Sequence, residues 1–498
     1  MSMPTPVRGP AWSEHGLALA DSRYPLRVEQ HLGRLVNSLL PGVITVTPQA
    51  RSFALHTLVW AEAEARGLDA EEARQLLRRS EVVFAGISLQ HRHAHPAEFP
   101  QPHGGDVVED SIHTNKYLDV TDLAGEKRYS QNRLGFGGVY LASERLLGMV
   151  GAGSPPPKGP RADKGALSEA LADVLEMAAR DRLEINELAA VPHLCICGAR
   201  YSADGPWLRS LFAKPPEEGE FESPDRSRRQ TAILLGRVVR DGAEGPLQNV
   251  FRARIGFGDF LERDPVAGQL PITQAWRGAV LRFYSVGAWR RLWSWIVDQV
   301  AGDALPIKEI GERLGTALPD ITLGDLLDAL PATTGDGVLL PAEETLRAAR
   351  TEPDPLTELQ LLAVGSKRLG DLTGTALRAF IGDERNDDLG PAWVQGQFNA
   401  HRSETLQEFA FWLADYMVRR ALRIALTKMG PTREDPGRMW IPSRIRENAG
   451  LISRRSAEGW NDVGLRISTF TSVLLGCGVL EVADGRWALT ADGEALLA

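Results

Sequence analysis

Apolar residues recur along most of this chain at three- and four-residue spacing, the pattern of helices that bury one side. After Val46-Thr47-Pro48, residues 53–66 keep that spacing, with Thr47 placed to cap, Pro48 in the first turn and Gly67 as the stop. Asp69 opens a second run with Leu76, Leu77, Val82, Val83 and Phe84 on one side, which predicts a helical hairpin closed by a short loop. Residues 269–300 hold the most rings: Trp276, Phe283, Tyr284, Trp289, Trp293 and Trp295, interleaved with Arg277, Arg282, Arg290 and Arg291. Rings among arginines suit base stacking, but Trp289, Leu292, Trp293 and Ile296 fall at helical spacing, so the segment reads as a core helix. Residues 404–429 form the longest amphipathic run, with a stripe of Leu406, Phe409, Leu413, Met417, Ala421 and Ile424. The expected fold class is mainly α and multidomain.

The periodicity breaks in three places. Residues 96–138 are rich in glycine, proline and histidine and read as a long irregular connection. Gly151 to Gly159 (GAGSPPPKG) reads as a tip, and the polar run from Lys214 to Arg229 as an exposed linker. These breaks divide the chain into an N-terminal helical domain (1–95), a His/Gly-rich connection with further helical segments (96–213), a linker (214–230), a central helical domain (231–435) and a C-terminal domain (436–498).

Composition then bounds the function. A chain of 498 residues, 43% hydrophobic and 24% charged, is globular and too long for one core. Its net charge of −9 argues against a body coated in nucleic acid, leaving room only for a local basic patch. Three cysteines cannot build a disulfide framework and suit a reducing cytoplasm. Residues 1–20 carry no export-signal pattern, and every apolar stretch is interrupted before membrane-spanning length, so a cytoplasmic protein without a membrane partner is expected.

The C-terminal segment carries the most recognisable layout. Ile467, Phe470, Val473 and Leu474 share one helical face and leave Arg466, Thr469 and Ser472 on another. Asp484-Gly485 suits a two-residue hairpin with Arg486 at its exit, and Leu489-Thr490-Ala491-Asp492-Gly493 opens a last helix. With the step Leu475-Gly476-Cys477-Gly478-Val479-Leu480, this segment resembles the winged-helix superfamily of bacterial regulators. That resemblance implies a C-terminal winged helix-turn-helix in which Arg466, Thr469, Ser472 and Arg486, with Arg454 and Arg455 upstream, meet duplex DNA; other winged helices bind protein subunits instead. Residues 140–150, followed by the proline-rich tip and Ala162-Asp163-Lys164-Gly165-Ala166-Leu167, echo the same order and predict a second winged helix near residues 128–175.

The rival chemistry lies in His91-Arg92-His93-Ala94-His95, with His103, Asp106, Glu109, Asp110 and His113 downstream. On an extended segment His91, His93 and His95 would share one side and hold a divalent transition metal, although no recognised ligand spacing is completed. His193-Leu194-Cys195-Ile196-Cys197 offers a histidine and two thiols but, lacking a partner pair, reads as a buried strand. Gly135-Phe136-Gly137-Gly138 has no lysine for a phosphate loop, and Asp371, Asp383, Glu384, Asp387 and Asp388 read as a solvated acidic loop. The expectation is therefore a non-enzymatic, cofactor-free protein that binds duplex DNA or the subunits of a larger complex, such as a genome-maintenance or phage-defence assembly. The alternative is a metal-dependent, nuclease-like enzyme centred on His91, His93 and His95.

Overall fold

A computed structural model describes residues 24–95, 97–126, 128–214, 223–331, 333, 342–348, 352–382, 389–431 and 439–497. Residues 1–20, part of the expected linker (215–222), the Gly335-Asp336-Gly337 turn and the acidic residues Asp383, Glu384, Asp387 and Asp388 lie outside these. The described chain is mainly helical. Its ten short strands are β1 (Tyr117–Asp119), β2 (Arg182–Glu184), β3 (Ala243–Glu244), β4 (Leu305–Pro306), β5 (Gly430–Pro431), β6 (Met439–Trp440), β7 (Ile445–Asn448), β8 (Leu451–Arg454), β9 (Leu480–Ala483) and β10 (Arg486–Leu489). None of its helices is long and apolar enough to cross a membrane.

The chain forms two compact units. Unit 1 holds the described residues up to Leu35, Gly256–Asp259 and Gln274–Val463; unit 2 holds Val36–Ile255, Phe260–Thr273 and Gly464–Ala498. This division differs from the boundaries read from composition, because residues 436–463 go with unit 1 and 464–498 with unit 2.

Unit 2 is built around the expected helical hairpin. Helix Ala50–Arg66 stops at Gly67, which takes the left-handed conformation (φ 66°) that a side chain would resist. Its cap is Gln49 rather than Thr47, whose hydroxyl is engaged with Ile44 instead. Helix Ala70–His91 starts with a capping box between Asp69 and Glu72, so both orphan ends of the first turn are satisfied. The stretch 96–138 is less irregular than its composition suggests: it contains helix Gly105–Asn115, β1 and helix Val120–Ala124. Val108 and Ile112, four residues apart and buried, supply the helical signal that the glycines and histidines obscure. β1 pairs antiparallel with β2, setting Leu118 against Leu183, and each strand runs straight into a short helix. The CxC segment is not a strand. Cys195 to Cys197 form a turn between the 3-10 helices Pro192–Leu194 and Gly198–Tyr201.

The C-terminal part of unit 2 is a three-stranded sheet in the order β3-β10-β9, with Asp484 and Gly485 both at positive φ in the hairpin turn. Helix Ile467–Gly476 precedes that hairpin. Helix Gly137–Leu146, the antiparallel bridge Val150↔Lys158 and helix Lys164–Ala178 follow one another in the region of the sequence echo.

Unit 1 contains the tryptophan-rich segment, and Trp276, Trp289 and Trp293 are buried as core. The neighbouring arginines serve the interior too: Arg282 is buried, and Arg291 bonds Glu358 at 2.9 Å and Asp462 at 2.5 Å. Helix Leu406–Thr427, opened by a Thr405/Glu408 capping box, packs along helix Ile307–Thr316. Gly311 permits that approach, since a Cβ there would lie 2.7 Å from the Phe411 ring. A second three-stranded sheet has the order β4-β8-β7.

Candidate functional site

The most chemically distinctive place in unit 2 is where helix Ala70–His91 ends. The helix tightens there into a 3-10 turn, Arg92–Ala94, which brings His95 back beside His91 with ring centroids 5.7 Å apart. The CxC turn meets these rings from the other side. His95 Nε2 lies 2.9 Å from Cys195 Sγ, and His91 Nδ1 lies 3.4 Å from Cys197 Sγ. Donor atoms of all four side chains lie within 4.8 Å of one another.

The turn is held by groups that spend none of these donor atoms. Arg51, wholly buried, donates to the carbonyls of His193 at 2.5 Å and Cys195 at 2.7 Å, and pairs with the equally buried Asp204 at 2.9 Å. Ser88, one helical turn before His91, accepts the Ile196 amide at 3.1 Å. Gly198 closes the turn by donating its backbone N–H to the Cys195 carbonyl at 2.8 Å, and a Cβ there would collide with the Arg51 guanidinium. The backbone is thus satisfied while thiols and imidazoles converge on one another. Hydrogen bonds from the Cys197 thiol and the two rings outweigh burial and hold the Cys195 thiol far below its ordinary range, while the neighbouring sulfur raises Cys197.

A different histidine cluster lies deeper in the same unit. His56 is clamped between two carboxylates, with Nε2 3.0 Å from Glu81 and Nδ1 2.8 Å from Glu144. Burial alone would lower its pKa, but the hydrogen bonds to Glu144 and Glu81 and their charges raise it to about 9. Glu81 also accepts the Tyr129 hydroxyl and the amides of Phe136 (3.0 Å) and Gly137 (2.6 Å). The glycine loop at the start of helix Gly137–Leu146 therefore cradles an anion, and the anion is the protein's own carboxylate. Gly135, at φ 60°, leaves the space that the Glu81 carboxylate and the Tyr129 hydroxyl fill.

Of the expected metal residues, His91 and His95 join the cysteine cluster, while His93 is exposed and stands outside it. The extended-strand geometry is replaced by a helix end: the His93 ring still lies 5.9 Å from that of His91, but only His95, four residues on, meets the cysteine turn with it. Asp106, Asp110 and His113 are exposed, and Glu109 pairs with Arg92 at 2.7 Å. His103 is half-buried against Phe136 and the Tyr140 hydroxyl, and desolvation lowers its pKa to about 4. The pairing of His91 and His95 with Cys195 and Cys197 was missed because the two motifs are about a hundred residues apart; the signal was a four-residue histidine spacing matched by a close cysteine pair.

The six residues expected at DNA belong to two different units. Arg454 pairs with Asp298 at 2.8 Å, and Arg455 stacks on Trp440 with its guanidinium 4.0 Å from the ring centre; both lie in unit 1. Arg466, Thr469, Ser472 and Arg486 lie in unit 2. Arg466 donates to the Val43 carbonyl at 2.9 Å, and Thr469 is buried with its hydroxyl directed at the Thr45 carbonyl at 3.4 Å. Ser472 is half-buried, and its hydroxyl bonds back to Ser468. Arg486 is 72% exposed on β10 beside Glu244 at 2.8 Å. Comparison with protein-family profiles, curated proteins and solved structures finds no match to this chain.

Proposed function

We propose that this chain is a non-enzymatic, complex-forming protein whose winged-helix modules act as contacts within a larger assembly of the genome-maintenance or phage-defence kind. In unit 2 the module consists of helix Ser223–Arg240, β3, helix Leu247–Gly256, helix Ile467–Gly476 and the β9-β10 hairpin, with residues 274–463 inserted before its third helix. In a winged helix the short strand after the first helix pairs with the second strand of the wing, and the order β3-β10-β9 follows that rule. The order β4-β8-β7 in unit 1 repeats it, and helix Gly137–Leu146 with the Val150↔Lys158 bridge is a third, smaller candidate.

The observation that carries the partner-binding reading is the burial of helix Ile467–Gly476. A groove-reading helix needs a free polar face, and here Thr469 and Thr471 are buried while Arg466 is held by Val43. Contact with duplex DNA then falls to exposed hairpin cations such as Arg486, which meet phosphates and carry no base specificity. Co-expression with the products of adjoining genes, followed by native mass spectrometry, tests the main reading: a defined heteromer supports it, and a chain that stays alone with every one of them sinks it. Footprinting on duplex DNA gives the second arm. Sequence-specific protection abolished by Ser472→Ala would restore the groove-reading role to this helix.

A further inference from the structure

We propose that His91, His95, Cys195 and Cys197 bind one zinc ion as a structural cross-link of unit 2. Four donors are what a tetrahedral site requires, and two imidazoles with two thiolates form one of the common structural zinc sets. With zinc–sulfur bonds of about 2.3 Å and zinc–nitrogen bonds of about 2.0–2.1 Å, the edges of such a tetrahedron measure roughly 3.3–3.8 Å. The 3.4 Å separation of His91 Nδ1 and Cys197 Sγ falls in that range, and the 2.9 Å contact of His95 with Cys195 needs to open by only part of an ångström. No carboxylate belongs to the donor set, which argues against magnesium, calcium or manganese and for a borderline-soft ion.

The surroundings are those of a prepared site. Arg51, Ser88 and Gly198 fix the cysteine turn through its backbone, and helix Ala70–His91 fixes the histidines, so no donor atom is needed to hold the loop in place. Against one another, two thiols and two rings are only weakly satisfied, and His95 Nδ1 is buried with no hydrogen-bond partner among the described residues. The ring is steadied instead by Phe99, with centroids 5.2 Å apart. Zinc binding displaces thiol protons to solvent, and the two thiolates balance the charge of the ion.

The coordination shell also separates a structural from a catalytic role. Catalytic zinc keeps a position for water or substrate. Here four protein donors fill a tetrahedron, so the ion ties the end of one helix to a turn about a hundred residues later and activates nothing. The inference is independent of what the winged-helix modules bind.

The test is elemental analysis of the full chain purified without chelator. About one zinc per chain is expected, lost in His91→Ala, His95→Ala, Cys195→Ser and Cys197→Ser and kept in His93→Ala. Full loss in His93→Ala with retention in the cysteine variants would replace this site by a three-histidine one, and a zinc-free wild type would overturn the proposal. Because ligand variants could misfold, chelator-treated wild-type protein is also titrated with cobalt(II). A tetrahedral spectrum with sulfur-to-metal charge transfer, and X-ray absorption giving two sulfur and two nitrogen neighbours, is expected; an octahedral, sulfur-free cobalt site overturns it.

Discussion

Two histidine clusters in unit 2 solve opposite problems. At His56 both ring nitrogens have carboxylate partners, and Glu81 collects a tyrosine hydroxyl and two amides besides. Both nitrogens of the ring and both oxygens of Glu81 are taken, and Glu144 Oε2 is the one cluster oxygen without a hydrogen bond among the described residues, so the cluster has little left to offer a ligand. At His91 and His95 the backbone is satisfied by Arg51, Ser88 and Gly198, and the side chains are what is left over. Four donors converge with little to bond to but one another. Whether a buried polar group's partners are already complete is thus a better guide to a ligand site than its burial or its residue type.

The largest effect expected from breaking this contrast is metal removal. A strong chelator should lower the melting temperature on the order of 10 °C or more, because a metal bound only by the folded state contributes its binding energy to folding. The Cys195→Ser/Cys197→Ser protein should start low and not respond. The next effect comes from the closed cluster. Glu144→Ala leaves the His56 imidazolium with one partner instead of two, at a cost of about 3–5 kcal/mol by urea denaturation, while zinc content stays unchanged. Loss of zinc in that variant would mean that the two clusters act as one.

Alkaline pH probes the closed cluster without mutation. His56 has a folded pKa of about 9, above the 6.5 of a free histidine, so its contribution is complete below pH 6.5 and is lost as pH rises through 9. The shift corresponds to about 3 kcal/mol, which urea midpoints between pH 6.5 and 9.5 would register. Glu144→Gln should flatten that profile. An unchanged slope in Glu144→Gln would place the titrating group elsewhere.

What could be read from the chain follows from the range of the forces involved. The hairpin of helices, its Gly67 stop, the Asp69 cap and the Asp484-Gly485 turn were legible because propensity, capping and turn geometry act within a few residues. The core role of Trp289 and Trp293 was legible from helical spacing. The four-ligand cluster was not, because it pairs residues about a hundred positions apart and depends on a helix ending at His91 and not continuing as a strand. The surroundings of Arg466 and Thr469 were hidden for the same reason: their polar character suits a DNA face, but Val43 and Thr45, over four hundred residues earlier, take up their hydrogen bonds. Nothing in a local pattern distinguishes a polar residue awaiting DNA from one awaiting a distant carbonyl.

The smallest expected effect falls on His193, which sits two residues before Cys195 and offers a third kind of histidine. Its side chain is exposed, while its backbone carbonyl accepts the buried Arg51 guanidinium at 2.5 Å. His193→Ala keeps that carbonyl and should change stability by no more than about 0.5 kcal/mol, with zinc content intact. Arg51→Ala removes the frame itself, leaves Asp204 buried without its partner and should cost about 3–5 kcal/mol together with much of the zinc. If His193→Ala behaves like Arg51→Ala, the imidazole ring is part of the site. If it behaves like wild type, the turn is positioned through its backbone, and the difference between a histidine that binds and one that only lies nearby is set by where its side chain points.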